Sequence, residues 1–149
     1  MKKAKLLKAL FSPRGVLFIR IFLGIVFIYA GAIKINDPQA FANIIGGYAI
    51  VPFWLLNIVA IVLPCVEVLL GIILPLPFWR RGSAILATLL FAVFLAAITT
   101  SVARGIDIDC GCFSTEVGSN PVTWLTICRD IIFLILGAYV LFREYRRVP

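Results

Sequence analysis

Long apolar runs separated by short polar or proline-rich connections set the pattern of this chain. Four windows, Val16–Ile33, Phe53–Leu74, Ser83–Val102 and Val122–Phe142, are almost wholly apolar. Each is long enough to cross a hydrocarbon core of about 30 Å, which takes roughly 20 helical residues. After the first window, Lys34-Ile35-Asn36-Asp37-Pro38 is a polar turn, and Asp37-Pro38 ends one helix and opens another because proline suits a first helical position. Gln39–Ile50 then carries Phe41, Ile44, Ile45 and Tyr48 at helical spacing. That spacing predicts a short amphipathic helix lying in the outer face of the bilayer, with Tyr48 and Trp54 at headgroup depth. An ordinary loop is the alternative.

Pro64 interrupts the second window and removes a backbone donor, which predicts a kink that neighbouring helices tolerate. Leu74-Pro75-Leu76-Pro77-Phe78-Trp79-Arg80-Arg81 is a tight inner turn with an aromatic and basic anchor. Gly24, Ala30, Gly31, Ala32, Gly71 and Gly137 are small residues that let spanning helices approach closely. No linker, repeat or low-complexity segment divides the chain. The pattern predicts an all-α fold, a four-transmembrane-helix bundle with a short interfacial helix between the first two spans. Residues 1–149 form a single integral membrane domain in this scheme.

Composition agrees with that scheme. The chain has 149 residues, 62% hydrophobic and 14% charged, with a mean hydropathy of +1.09. Soluble domains run at roughly 45–50% apolar and about 25% charged, so this sequence cannot cover a water-soluble surface. Lys2, Lys3, Lys5 and Lys8 resemble the basic start of a signal peptide. The apolar run behind them, however, exceeds the roughly 7–15 residues of a signal core, so it reads as a retained span.

The net charge of +7 invites a nucleic-acid reading, but its distribution argues against one. Lys2, Lys3, Lys5, Lys8 and Arg14 precede the first span, Arg80 and Arg81 follow the second, and Arg143, Arg146 and Arg147 follow the fourth. The other two connections carry only Lys34 and Arg104. This bias places both termini in the cytoplasm of a multi-pass inner-membrane protein, by the positive-inside rule. Lipid is the implied partner and nucleic acid is not. The connection between the third and fourth spans then faces the periplasm of a Gram-negative cell, where disulfide chemistry is favoured.

That connection holds Asp107, Asp109 and the triplet Cys110-Gly111-Cys112. Glycine between the cysteines frees the backbone, so the sulfurs could meet in a small strained ring, and strained exposed disulfides tend to be the labile, oxidising ones. Asp107 and Asp109 oppose thiolate formation, the chain has no histidine, and Arg104 is the only nearby cation. Two incidental loop cysteines are the bland alternative. Cu(I) or mercury capture by the thiolates is a sharper one.

Cys128 lies roughly 10 Å below the outer surface and Cys65 roughly 20 Å below it, at 1.5 Å per residue. Disulfides usually need Cα atoms under about 7 Å apart, so the two are not expected to pair. Cys128 is the candidate relay thiol beneath the loop, while Cys65 reads as a small buried apolar residue.

Charges inside spans are costly and suggest function by default. Glu67 and Arg20 lie at similar computed depths, which predicts an ion pair between them. Arg129 and Asp130 are sequence neighbours that point about 100° apart, so each is expected to find another partner; Lys34 could snorkel toward Asp130. These groups are either glue that fixes helix register or a polar wall for a quinone carbonyl or a proton path. Glu67, Arg129 and Asp130 are the candidate cofactor-binding residues.

Arg20, Gly24, Phe27, Gly31, Lys34 and Asp37-Pro38, then Pro64 and Glu67, then Asp109-Cys110-Gly111-Cys112-Phe113, then Arg129-Asp130, follow one another in an order that resembles the MauE branch of the DoxX-like membrane proteins. The resemblance covers the whole chain, and the Asp-Cys-Gly-Cys-Phe string is its most specific part. Ser114 departs from it where such proteins often carry another glycine. The resemblance implies a four-helix inner-membrane protein that forms or rearranges disulfides in exported proteins alongside a periplasmic thioredoxin-like partner. The architecture is also similar to DsbB and vitamin K epoxide reductase, which pass electrons between thiols and a quinone, although their Cys-x-x-Cys pair is not found here. On this view Cys110, Cys112 and Cys128 are the catalytic candidates of a thiol–disulfide oxidoreductase, and quinone is the candidate acceptor.

Overall fold

A computed structural model describes residues 12–105 and 124–146. The described residues are all-helical: α1 (Pro13–Asn36), α2 (Pro38–Gly47), a 3-10 turn (Phe53–Leu55), α3 (Leu56–Ile73), α4 (Arg80–Ala103) and α5 (Trp124–Tyr145). Four of these helices are long and apolar enough to cross a membrane: Pro13–Asn36, Phe53–Ile73 (counting the 3-10 turn), Arg80–Ala103 and Trp124–Tyr145. The first and third extend the expected windows by a few residues, gaining polar residues that remain helical, and the second matches its window to within one residue. Cys110, Cys112, Asp107, Asp109 and Ser114 fall outside the described residues.

Local sequence fixes the helix ends. Ser12 caps α1, its hydroxyl accepting from the Arg14 N–H at 3.2 Å, with Pro13 in the first helical position. Pro38 drives the preceding Asp37 out of helical geometry (φ −139°, ψ 78°), which stops α1. The Asp37 carboxylate then caps α2 by accepting from the Ala40 N–H at 2.9 Å. Gly105, with φ +66°, closes α4 in the left-handed conformation that glycine adopts without strain.

The helices run alternately up and down, so the start of α1, the α3–α4 turn and the end of α5 share one end of the bundle, called here the termini end. At the opposite, loop end, α2 folds across the bundle. Phe41, Ala42 and Ile45 pack on Ala60 of α3, and Ile44 and Tyr48 pack on Ile98 of α4. The short helix expected between the first two spans is therefore present. Tyr48 is buried against Ile98, whereas Trp54 is exposed.

Apolar side chains cannot drive helices together in a solvent as apolar as themselves; close backbone approach does. Gly24 and Gly71 mark such an approach between α1 and α3. A Cβ added at either one would come within 2.6 Å of the other's carbonyl oxygen. One turn-pair further along, a Cβ on Gly31 would meet the Pro64 carbonyl oxygen at 2.8 Å and the Glu67 Cβ at 3.2 Å. Helix α3 is continuous through Pro64. Aromatic stacking joins the other helices: Phe27 of α1 meets Phe91 of α4 at 4.6 Å between ring centroids, and Phe91 meets Phe133 of α5 at 5.5 Å.

Candidate functional site

The glycine contacts set the register of α1 against α3, and the register decides which buried charges meet. Arg20 lies level with the α3–α4 turn. Its Nε donates to the Leu74 carbonyl at 2.6 Å, Nη2 to the Leu76 carbonyl at 3.0 Å and Nη1 to Glu144 Oε1 at 3.0 Å. Pro75 and Pro77 have no N–H, and the last carbonyls of a helix lack intrahelical donors. Arg20 supplies those donors and its charge suits the helix C-terminus. The predicted Arg20–Glu67 pair does not form, since those residues sit about eight positions, or roughly 12 Å, apart along the bundle.

Glu67 instead pairs with Lys34, whose ammonium donates to Oε1 at 2.6 Å and Oε2 at 2.8 Å. Both side chains are 1% exposed. The ammonium also lies 4.9 Å from the Phe94 ring centroid and 5.2 Å from that of Phe41, a cation–π enclosure that partly replaces lost hydration. Lys34 does not bond Asp130. Asp130 is bonded by its own neighbour, Arg129 Nε, at 3.1 Å, because the long arginine side chain bends back over the helix surface. The two neighbours expected to point apart thus bond each other.

Lys34, Glu67 and Asp130 nevertheless come together. They line one cavity of about 30 Å³ whose walls are Phe27, Phe91, Phe94 and Phe133. Asp130 Oδ2 is buried and makes no hydrogen bond among the described residues. Lys34 has spent two of its three N–H donors on Glu67. One water needs at least about 10–15 Å³ and two or more polar partners, so the cavity has room and polar groups enough for a water. Asn at position 130 keeps an acceptor for Arg129 while removing a buried charge. Asp130→Asn is expected to change stability by less than about 1 kcal/mol, read as the thermal midpoint in detergent; a loss as large as that of a broken Lys34–Glu67 pair would refute this assignment.

The thiols within the described residues do not face this cavity. Cys128 is exposed on α5, two positions from the inward-facing Asp130. Cys65 is exposed on α3, contrary to the expectation that it is buried; the inward face of α3 is carried by Ala60, Pro64, Glu67 and Gly71 instead. Both are free thiols. Arg104, the one cation near the loop pair in sequence, donates from Nη1 to the Tyr48 carbonyl at 3.3 Å, tying the end of α4 to the end of α2.

Sequence reasoning overlooked Glu144. It stands outside the fourth apolar window and among arginines, which reads as a solvated end, yet it is 4% exposed. The signal available was Arg20, a cation in an apolar span that required an acidic partner at its own end.

A bundle of four apolar helices, tied at one end by Arg20–Glu144 and toward the other by Lys34–Glu67, defines a multi-pass membrane protein with charges buried between its helices. Sequence relationships place it more closely. The chain belongs to the MauE family: residues 12–143 match the family described as methylamine utilisation protein MauE. It is 32% identical over 129 residues to the methylamine utilization protein MauE of Paracoccus denitrificans, covering 86% of this chain and 69% of that protein. It is also 32% identical over 120 residues to that of Methylorubrum extorquens, covering 80% and 64%, and 28% identical over 130 residues to that of Methylophilus methylotrophus, covering 87% and 68%. The chain therefore aligns with about two thirds of the length of these relatives. No solved structure matches it significantly.

Proposed function

We propose that this protein is a membrane-embedded thiol–disulfide exchange protein whose working sulfurs are Cys110 and Cys112, with its loop end in the periplasm and both termini in the cytoplasm of an inner-membrane protein. The observation that carries the proposal is the Cys110-Gly111-Cys112 triplet in the connection between the third and fourth spans of a four-span helical chain. Membership of a family whose relatives are named for methylamine utilisation supports a role in maturing an exported protein of that system, with a thioredoxin-like protein as partner.

The exchange balances without another reagent. A thiolate of the pair attacks a sulfur of the partner's disulfide, one partner thiolate leaves, and a mixed disulfide forms. The second thiolate of the pair then attacks the mixed disulfide, so the pair ends oxidised and the partner reduced; the reverse sequence oxidises the partner. In this reading Cys128, exposed near the start of α5, is the relay thiol that exchanges with that pair.

Quinone fits poorly with the cavity beside Lys34, Glu67 and Asp130. Its polar groups suit a carbonyl oxygen, but about 30 Å³ holds a water and not a ring, so no step is assigned to quinone. Soft-metal capture remains the second reading of the same two thiols. Among the described residues no group of three or more metal-ligating side chains occurs, so such a site would rest on Cys110 and Cys112.

Acid quenching followed by alkylation tests the proposal in cells. The Cys112→Ser variant is expected to accumulate a reductant-sensitive adduct with a periplasmic partner through Cys110, and Cys110→Ser/Cys112→Ser to abolish both the adduct and partner maturation. Full maturation with the double variant would reduce the protein to a scaffold. Stoichiometric Cu(I) or Hg(II) bound through unchanging thiols would favour the metal reading.

A further inference from the structure

At the termini end, a groove of about 840 Å³ opens between the α3–α4 turn, the start of α4 and the end of α5. Arg80, Arg81 and Arg143 line it, and among the described residues the one acidic side chain in its wall, Glu144, is buried and bonded to Arg20. Three like charges gathered around one space raise its positive potential and favour an anion there. Two of them occupy the first turn of α4, the wrong sign for a helix N-terminus, and that helix has no side-chain cap. Phe78 and Trp79 stand beside the groove, 88% and 71% exposed, as aromatic side chains do at headgroup depth.

A second groove, of about 420 Å³ and almost wholly apolar, runs along the bundle between α3 and α4. Leu69, Ile73, Leu86 and Leu89 line it, and it shares Trp79 and Gly82 with the basic groove. A free phosphate would use only the first groove. A molecule with a phosphate at one end and a hydrocarbon chain at the other uses both.

We propose that the two grooves form one binding site for an anionic phospholipid, with its phosphate among Arg80, Arg81 and Arg143 and an acyl chain between α3 and α4. The site is independent of the thiol chemistry. Purified protein is reconstituted at equal lipid fractions with phosphatidylglycerol or phosphatidylcholine, and retained lipid is counted by native mass spectrometry. Phosphatidylglycerol is expected to be retained preferentially. Each surface arginine contributes about fivefold to anionic-lipid attraction, so replacing all three by glutamine is expected to weaken retention by about a hundredfold, while the triple lysine variant keeps most of it. A Cβ on Gly82 has only the Trp79 ring edge nearby, at 3.8 Å, so Gly82→Leu is expected to be accommodated and to block the junction, lowering retention without removing charge.

Equal retention of the two lipids, or undiminished phosphatidylglycerol in the triple glutamine variant, overturns the proposal. Inorganic phosphate that stabilises the protein as well as the lipid does, with Gly82→Leu having no effect, also overturns it and leaves a free-phosphate site. If the glutamine variant does not fold, the lysine and Gly82→Leu variants decide the matter.

Discussion

Lys34→Met is expected to unfold the bundle at far lower denaturant than the parent, at a cost of about 3–5 kcal/mol, the usual penalty for stranding one partner of a buried ion pair. The loss is severe because Lys34 is the cation bonded to Glu67 and lines the same cavity as Asp130. Without it, one carboxylate is left uncompensated and a second loses a neighbouring positive charge. Glu67→Leu is expected to cost less. Lys34 would keep its Phe41 and Phe94 contacts and Asp130 across the cavity. The double variant Lys34→Met/Glu67→Leu is expected to recover to within about 1 kcal/mol of the parent, since apolar replacements of similar volume often equal or exceed a buried pair. Unfolding in mixed micelles of increasing sodium dodecyl sulfate measures all three, and the cycle isolates the coupling. Additive losses in the double variant would show that the pair seen in the structure does not hold α1 to α3.

The same pair shows where sequence reasoning succeeds and where it stops. Apolar length and the Asp37-Pro38 end signal made the four spans and the short α2 legible. Facing was harder, because a lipid-exposed position is as apolar as a buried one. Cys65 illustrates this: it lies one position from Pro64, which is buried, and nothing apolar about its neighbours distinguishes the two sides. Small and charged residues do mark the inside. Gly24, Gly31, Gly71, Arg20, Lys34 and Glu67 all prove buried.

Pairing among those charges was illegible for a different reason. Depth counted from window edges carries an error of two to four residues at each end, enough to set Arg20 beside Glu67. The Gly24–Gly71 contact removes that error, and side-chain length does the rest: Lys34 reaches back along α1 to Glu67, and Arg129 folds back to its neighbour. The cysteine pair is the opposite case. The chemistry proposed for it rests on the sequence alone, and its geometry lies outside the described residues.

If backbone contact between α1 and α3 governs assembly, alanine substitutions at the helical glycines should separate by what their Cβ meets and not by helix propensity. In a helix interior, glycine to alanine alone gains about 0.8–1.0 kcal/mol. Gly46→Ala meets only the Leu56 side chain, at 3.5 Å, and is expected to be neutral or stabilising. Gly137→Ala meets the Thr88 hydroxyl at 3.2 Å, a group able to shift by a few tenths of an ångström, so gain and strain should nearly cancel. Gly24→Ala and Gly71→Ala each drive a methyl against a backbone oxygen at 2.6 Å. Neither oxygen can rotate away, so the helices must separate, breaking the Gly31–Pro64 contact and stretching Lys34–Glu67. Overpacking of this kind costs about 1–3 kcal/mol and occasionally more; here it is expected at the top of that range or above, with Gly71→Val yielding no folded protein. Size-exclusion profiles and thermal midpoints in detergent give the ranking. Gly24→Ala and Gly71→Ala at or above the stability of Gly46→Ala would mean that α1 and α3 do not touch through their backbones, and the register that brings Lys34 to Glu67 would lose its physical basis.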